Sequence, residues 1–191
     1  MRSRDVQHIQ VIIGSVRPGR IGDQIAGWIM QLAAGIPGLT FELIDLQDWY
    51  LPLDDEPHQP KSNPRYLHQH TTEWSKKIRA GHGYVFLTPQ YNWGYPASLK
   101  NALDHLYHEW VGKRAVIVSY GHRGGVKAAE QLRQVLLGLH MHPAEAAPGL
   151  VLRPEILGAD GRLLSVANAF ADRADEIVAA LSTLARSPAT A

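Results

Sequence analysis

Short apolar segments alternate with longer amphipathic segments along most of the chain. The apolar segments predict five β-strands, over residues 9–14, 40–46, 84–88, 115–120 and 144–152. Apolar residues spaced three or four apart predict four α-helices, over residues 21–35, 98–110, 126–140 and 165–185. This alternation is typical of an α/β domain whose parallel sheet carries helices on both faces. With right-handed crossovers, it favours a doubly wound five-stranded sheet in the order 2-1-3-4-5.

The length of the chain fits one domain. Its 191 residues can bury a substantial core but are too few for two ordinary domains. We therefore expect a single domain over residues 1–191, with a frayed tail at residues 187–191. Residues 48–64, here called the proline-rich loop, break the pattern with four prolines. A loop of this length predicts a functional or partner-facing segment, and a plain solvated loop is the alternative.

Composition excludes several classes of protein. Hydrophobic residues make up 45% of the chain and charged residues 19%, as in globular proteins. A net charge of +1 gives no general reason to bind nucleic acid or an anionic membrane. No apolar stretch reaches the roughly 20 residues of a membrane span. The chain has no cysteine, which excludes disulfides and thiolate chemistry and favours a cytoplasmic location.

Three unusual loops follow the first, third and fourth predicted strands. They read GSVRPGR at residues 14–20, PQYNWGYP at residues 89–96 and SYGHRGG at residues 119–125. The three strands are neighbours in the proposed order, and open α/β sheets bind ligands outside the carboxyl ends of their strands. We therefore expect the loops to converge on one cleft.

The first loop is a candidate phosphate site. Ser15 offers a hydroxyl, Arg17 and Arg20 offer charge, and a predicted helix begins directly afterwards. The alternative is a turn with two solvated arginines. The spacing resembles a P-loop, but Arg20 and Ile21 replace the lysine and the hydroxyl residue, which argues against a nucleoside triphosphatase. The dinucleotide motif is also absent, so we expect Asp45 to cap a turn and not to bind a ribose.

The second and third loops are suited to a flat ring. Tyr91 and Trp93 can form its wall, while backbone amides near Asn92 and Gly94 can meet its heteroatoms. The third loop adds Tyr120 and several glycines whose amides can bind an anion. The alternative is that the aromatic residues close the core or contact a second subunit. A phosphate site beside an aromatic slot favours FMN over AMP.

The motifs GSVRPGRIG, PQYNWGYPASLKNALDHLYHEW and VSYGHRGG resemble the NADPH-dependent FMN reductase family of flavodoxin-like proteins, especially its NAD(P)H:quinone reductase branch. The resemblance extends from about Ile9 to Leu152. It implies a flavodoxin-like fold, FMN as the cofactor, and NADPH or NADH as the reductant.

The resemblance also implies a role for each loop. The first loop binds the FMN phosphate through Ser15, Arg17, Arg20, Ile21 and Gly22. The second loop lies against the isoalloxazine ring with Pro89, Gln90, Tyr91, Asn92, Trp93 and Gly94. The third loop closes the pyrimidine side of the ring with Ser119, Tyr120 and Gly121.

The implied reaction needs no protein nucleophile. Flavin N5 accepts hydride from NAD(P)H, and a quinone or similar small acceptor is reduced next. Trp93, His122 and Arg123 are candidate auxiliary residues. Two alternatives stay open, a flavodoxin-like one-electron carrier and a flavin-binding regulatory protein. We expect a homodimer or homotetramer.

The segment DHLYHEW raises a separate metal hypothesis. His105 and His108 lie three apart on a predicted helix, with Asp104 and Glu109 beside them. Because the apolar residues of this helix indicate packing, we expect no metal site here.

Overall fold

A computed structural model describes residues 6–53 and 55–185. The predicted frayed tail at residues 187–191 lies outside them. The strands in this part of the chain are β1 (Gln7–Ile13), β2 (Leu39–Asp45), β3 (Gly83–Pro89), β4 (Arg114–Gly121), β5 (His142–Pro143) and β6 (Gly149–Val151). The α-helices are α1 (Gly22–Ala33), α2 (Gln69–Arg79), α3 (Ala97–Asp104), α4 (Val126–Gly138), α5 (Val166–Ala169) and α6 (Ala174–Ser182).

The strands form one parallel sheet in the order β2-β1-β3-β4-β5, and β6 also pairs with β4. This confirms the predicted doubly wound order. In register, Ile13 at the end of β1 lies opposite Leu87 of β3, and Leu87 lies opposite Val118 of β4. The carboxyl ends of these three strands therefore meet at one edge, beside the point where the strand order reverses.

Helices cover both faces of the sheet, as predicted. Every residue of β3 is buried, and its side chains alternate between two separate cores. Val85 and Leu87 pack in the core that contains α1 and α6. Tyr84 and Phe86 pack in the core that contains α2, α3 and α4. A strand enclosed in this way must be apolar along its whole length, which is why the sequence revealed it clearly.

The predicted single strand over residues 144–152 is wrong. The structure has two short strands instead, β5 just before this range and β6 within it, each paired with β4 at a different level. Pro143 and Pro148 carry no backbone N–H, so they cannot donate to a continuous ladder with β4. The predicted helix over residues 165–185 is also divided, since a short 3-10 turn, Ala171–Arg173, separates α5 from α6.

The predicted helix over residues 98–110 ends early, because α3 stops at Asp104 and turns follow it. Indole N–H groups of Trp74 and Trp110 donate to the carbonyl groups of Ala102 and Leu103, at 2.8 and 3.1 Å. These bonds satisfy carbonyls that a longer helix would have used. Trp110 is fully buried although it lies outside the helix. The spacing of apolar residues therefore predicted correctly that Trp110 is buried, but not where the helix ends.

Helix α2 was not predicted from the sequence. Its buried positions are Thr71, Trp74, Ser75 and Ile78, and two of these are polar, so its apolar signal is weak. Among the described residues, no helix has the length and apolar character needed to cross a membrane.

A buried carboxylate ties α2 to the turn after α3. The Glu109 side chain has no exposed surface and accepts hydrogen bonds from Ser75 Oγ (2.6 Å), Arg79 Nη2 (2.9 Å) and the Tyr66 hydroxyl (3.0 Å). Burial alone would raise the pKa of Glu109, but these hydrogen bonds outweigh it and lower the pKa. The carboxylate is therefore charged at neutral pH and acts as a structural link.

Candidate functional site

A cleft of about 880 Å³ opens at the carboxyl ends of β1, β3 and β4. Residues of all three unusual loops line it, which confirms that the loops converge. None of the described residues that line the cleft is acidic, whereas Arg17, Arg20, Arg123 and Lys127 are basic. The cleft is therefore suited to an anionic ligand.

Two arginines of the first loop line the cleft, and they contact different side chains of the protein. Arg20 forms an ion pair with Asp45, and its Nε is buried without a partner among the described residues. Arg17 lies over the Tyr91 ring, with its guanidinium carbon 3.8 Å from the ring centroid. Asp45 also accepts a hydrogen bond from the Gln47 amide (3.0 Å), which confirms its expected capping role. Of these two arginines, Arg17 is thus the one without a carboxylate partner among the described residues.

Ser15 and Gly22, also predicted in the phosphate site, lie just behind the surface of the cleft. Ser15 is fully buried; its hydroxyl is 2.7 Å from the Tyr91 hydroxyl and accepts from the Arg17 amide at 3.3 Å. Gly22 begins α1, and a Cβ there would come within 2.8 Å of the Tyr120 hydroxyl. Ile21 precedes Gly22 and lines the cleft itself. The first loop therefore packs tightly against both tyrosines.

Arg162 holds the start of α1 and was missed by the sequence analysis. Its guanidinium donates to the Arg20 carbonyl (2.7 Å) and to both carboxylate oxygens of Asp23 (3.0 and 2.7 Å). Burial would raise the pKa of Asp23, but the hydrogen bonds and charge of Arg162 outweigh it and lower the pKa. Arg162 lies 139 positions from Asp23, and no local pattern in the sequence signals such a contact.

The second loop is a tight hairpin. Tyr91 and Gly94 exchange two backbone hydrogen bonds, of 2.8 and 3.0 Å, around Asn92 and Trp93. Both central residues have positive φ, 46° and 74°, as a type I′ turn requires. Trp93 lines the cleft with 65% of its surface exposed.

Asn92 and Gly94 do not line the cleft. The Gly94 amide donates to Tyr91 inside the hairpin, and a Cβ on Gly94 would face Gln131 of α4 at 3.2 Å. In the structure, Gly94 thus serves the contact between the hairpin and α4, and its approach to a ring stays a prediction.

Gln90 joins the second loop to the third. Its side-chain carbonyl oxygen accepts a hydrogen bond from the backbone N–H of Lys127 (3.0 Å), at the start of α4. The backbone N–H of Gln90 donates to the backbone carbonyl of Tyr120 (3.0 Å). Gln90 and Pro89 both line the cleft. Gln90 therefore ties the end of β3 to β4 and to the start of α4.

Tyr120 reaches farther than the sequence suggested. Its ring is almost fully buried, and its hydroxyl lies near the start of α1, at the first-loop end of the cleft. Burial is the main cause that raises the pKa of Tyr120, and the neighbouring Tyr91 raises it further. The Tyr120 hydroxyl therefore stays protonated and can donate a hydrogen bond. Gly121 lines the cleft, while Ser119 lies behind it and donates to the Gly124 carbonyl (2.7 Å).

His122 and Arg123, the candidate auxiliary residues, also line the cleft. So do Val126, Lys127 and Leu152, which the sequence motifs did not include. The first two begin the helix that follows the third loop, so extending the motif by one helical turn would have found them. Leu152 directly follows β6. The sequence placed Leu152 inside a predicted strand over residues 144–152, so it was not recognised as a cleft residue.

A doubly wound sheet in this order, with a cleft at its switch point, defines the class of flavodoxin-like proteins. The sequence profile described as NADPH-dependent FMN reductase matches residues 8–150. The chain belongs to this family.

Individual relatives agree with this assignment. The chain is 48% identical over 145 residues to an NAD(P)H-dependent FMN reductase of Schizosaccharomyces pombe, covering 75% of this chain and 72% of the relative. It is 30% identical over 143 residues to a quinone reductase of Pseudomonas putida, covering 71% and 73%. The solved structure of FerB, an NAD(P)H:(acceptor) oxidoreductase from Paracoccus denitrificans, is similar with a TM-score of 0.66 and 23% identity, covering 93% of this chain and 98% of FerB.

Proposed function

We propose that this protein is an FMN-dependent oxidoreductase that takes electrons from NADPH or NADH and reduces a quinone or a similar small molecule. The main support for this proposal is one cleft that has an arginine-rich end and an aromatic wall and that no acidic residue of the described chain lines. A flavin mononucleotide has the matching chemistry, an anionic phosphate joined to a large flat ring.

The first-loop end fits the phosphate. Arg17 has no carboxylate partner in the described chain, and the Tyr120 hydroxyl is a neutral donor beside the start of α1. Arg20 lends its positive charge while Asp45 fixes its position. Ser15 and Gly22 act from behind, since Ser15 orients Tyr91 and Gly22 leaves room for Tyr120.

The second and third loops fit the ring. Tyr91 and Trp93 supply apolar surface, and Pro89 and Gln90 form a floor held by main-chain hydrogen bonds. Gly121 lines the cleft beside Gln90 and presents backbone without a side chain. Asn92, Gly94 and Ser119 keep the two loops in shape without reaching the cleft.

FMN held by these residues would supply the hydride-accepting chemistry that links NAD(P)H to the small acceptor. The residues of this chain bind and orient the reactants. Arg123 and Lys127 add positive charge to the lining of the cleft, where a phosphate of the reductant can pair with them. Trp93 shields one side from water, and its exposed indole offers a stacking surface to an incoming ring.

We also propose that the protein forms a homodimer or homotetramer in the cytoplasm. Tyr50, Leu53 and Leu67 lie on the proline-rich loop or beside it and are 76%, 83% and 70% exposed. Large apolar side chains exposed on one segment favour an interface between subunits. Light scattering of the flavin-loaded protein tests this, and a monomer with intact activity would contradict it.

The proposed function is tested by anaerobic titration of FMN-loaded protein with NADPH and then NADH. We expect flavin absorbance to bleach in one two-electron step and to recover when a benzoquinone is added. Bleaching in two one-electron steps would favour an electron carrier. Bound flavin that neither nucleotide reduces would favour a regulatory protein.

A further inference from the structure

A cluster of potential metal ligands lies outside the cleft. Asp55, His70 and His105 each offer one ligand atom, and these three atoms lie within 4.8 Å of one another. None of the three lines the cleft. Asp55 belongs to the proline-rich loop, His70 to the first turn of α2, and His105 directly follows α3. The cluster therefore joins three separate parts of the chain.

The surroundings hold these side chains in place. His105 is only 3% exposed, and its ring nitrogens lie 2.8 Å from the Pro52 carbonyl oxygen and 3.3 Å from the Thr71 hydroxyl. Whichever nitrogen binds a metal, the other keeps an oxygen partner that fixes the ring, as is usual for histidine ligands. His70 Nε2 lies 3.0 Å from Asp55 Oδ1, with 17% of the His70 side chain exposed.

The chemistry and spacing favour zinc. Two imidazole nitrogens and one carboxylate oxygen are ligands that Zn²⁺ accepts, whereas Mg²⁺ and Ca²⁺ prefer oxygen alone. Ligand atoms around tetrahedral zinc lie about 3.3 Å apart, given zinc–ligand distances near 2 Å. The longest separation in the cluster must therefore shorten by about 1.5 Å at most, and Asp55 lies on a loop that can supply this movement.

We propose that Asp55, His70 and His105 bind one Zn²⁺ ion, which fastens the proline-rich loop to α2 and to the end of α3. A water molecule completes the shell at the open side. The ligands are separate from the cleft, so we expect the ion to act on the stability of the fold, because zinc that binds the folded chain stabilises it by mass action. The proposal is independent of the function of the cleft.

The test uses untagged, FMN-saturated protein from which metals have been removed with EDTA. Zinc chloride is titrated by calorimetry, and cobalt chloride is titrated while the visible spectrum is recorded. We expect one ion per chain, a cobalt spectrum of a low-coordinate nitrogen and oxygen site, and a melting temperature raised by several degrees. His70→Gln and Asp55→Asn should each weaken zinc binding at least tenfold and remove the thermal shift.

His58→Gln is the matched control, because His58 is an exposed histidine of the same loop outside the cluster. It should bind zinc like the unchanged protein. Circular dichroism checks that the variants fold. The proposal is overturned if the unchanged protein binds no zinc at about 100 µM, a concentration far above the dissociation constants of structural zinc sites, or if His58→Gln lowers the affinity as much as His70→Gln.

Discussion

Removal of the Arg17 guanidinium should separate the binding of FMN from that of riboflavin. Arg17 is exposed at the cleft and has no carboxylate partner among the described residues, so its charge is available to a phosphate. Arg20 is a poorer choice for this test. Its loss would leave the Asp45 carboxylate unpaired beside the site and would mix two effects.

The size of the effect follows from the contacts that Arg17 can make. A hydrogen bond to a charged group contributes about 1.5–3 kcal/mol, which corresponds to a 10- to 150-fold loss of FMN affinity in Arg17→Ala. Riboflavin has no phosphate. It should lose less than about fivefold, because the stacking of Arg17 on Tyr91 contributes only about 0.5–1 kcal/mol at an exposed site.

Quenching of flavin fluorescence during titration of the apoprotein measures both affinities. Arg17→Lys keeps the charge and should recover part of the FMN affinity. Arg123→Ala removes an arginine of the third loop that also lines the cleft, and should not discriminate between the two flavins. Equal losses of FMN and riboflavin in Arg17→Ala would refute the placement of the phosphate.

Three further predictions concern stability and turnover. Glu109→Gln should lower the free energy of unfolding in urea by about 1–3 kcal/mol at pH 7. Because the pKa of Glu109 is lowered on folding from its usual 4.5, the difference should shrink below about pH 4.5, and a pH-independent difference would contradict this. Gly125→Ala should cost about 2–5 kcal/mol, since Gly125 has φ 74° and its Cβ would meet the Tyr120 backbone at 2.8 Å. Gly112→Ala has the same φ but open space, and should cost about 1–2 kcal/mol by thermal unfolding. Trp93→Gly relieves a positive φ and should keep stability. Loss of the indole should raise the KM for the acceptor in steady-state kinetics more than it lowers FMN affinity, and an unchanged KM would contradict the proposed contact between Trp93 and the substrate.

The sequence predicted the central strands and the loops that follow them. β1, β3 and β4 were placed within two residues at each end, because strands covered on both faces must be apolar along their whole length. The edge of the sheet was harder to predict. Two prolines divide the last strand, and the apolar positions between them did not reveal the break.

Residue types along the chain determined the class of the fold and the three loops of the cleft. They also supplied the family motifs, because glycine, proline and aromatic residues are needed locally wherever a strand ends in a ligand site. Only the tertiary structure decided which side chains face the cleft. Arg20 pairs with Asp45, Arg162 fastens α1, and Asp55 meets His70 and His105. These contacts join residues far apart in the chain, and their geometry follows from the packing of helices on the sheet, which no local pattern encodes.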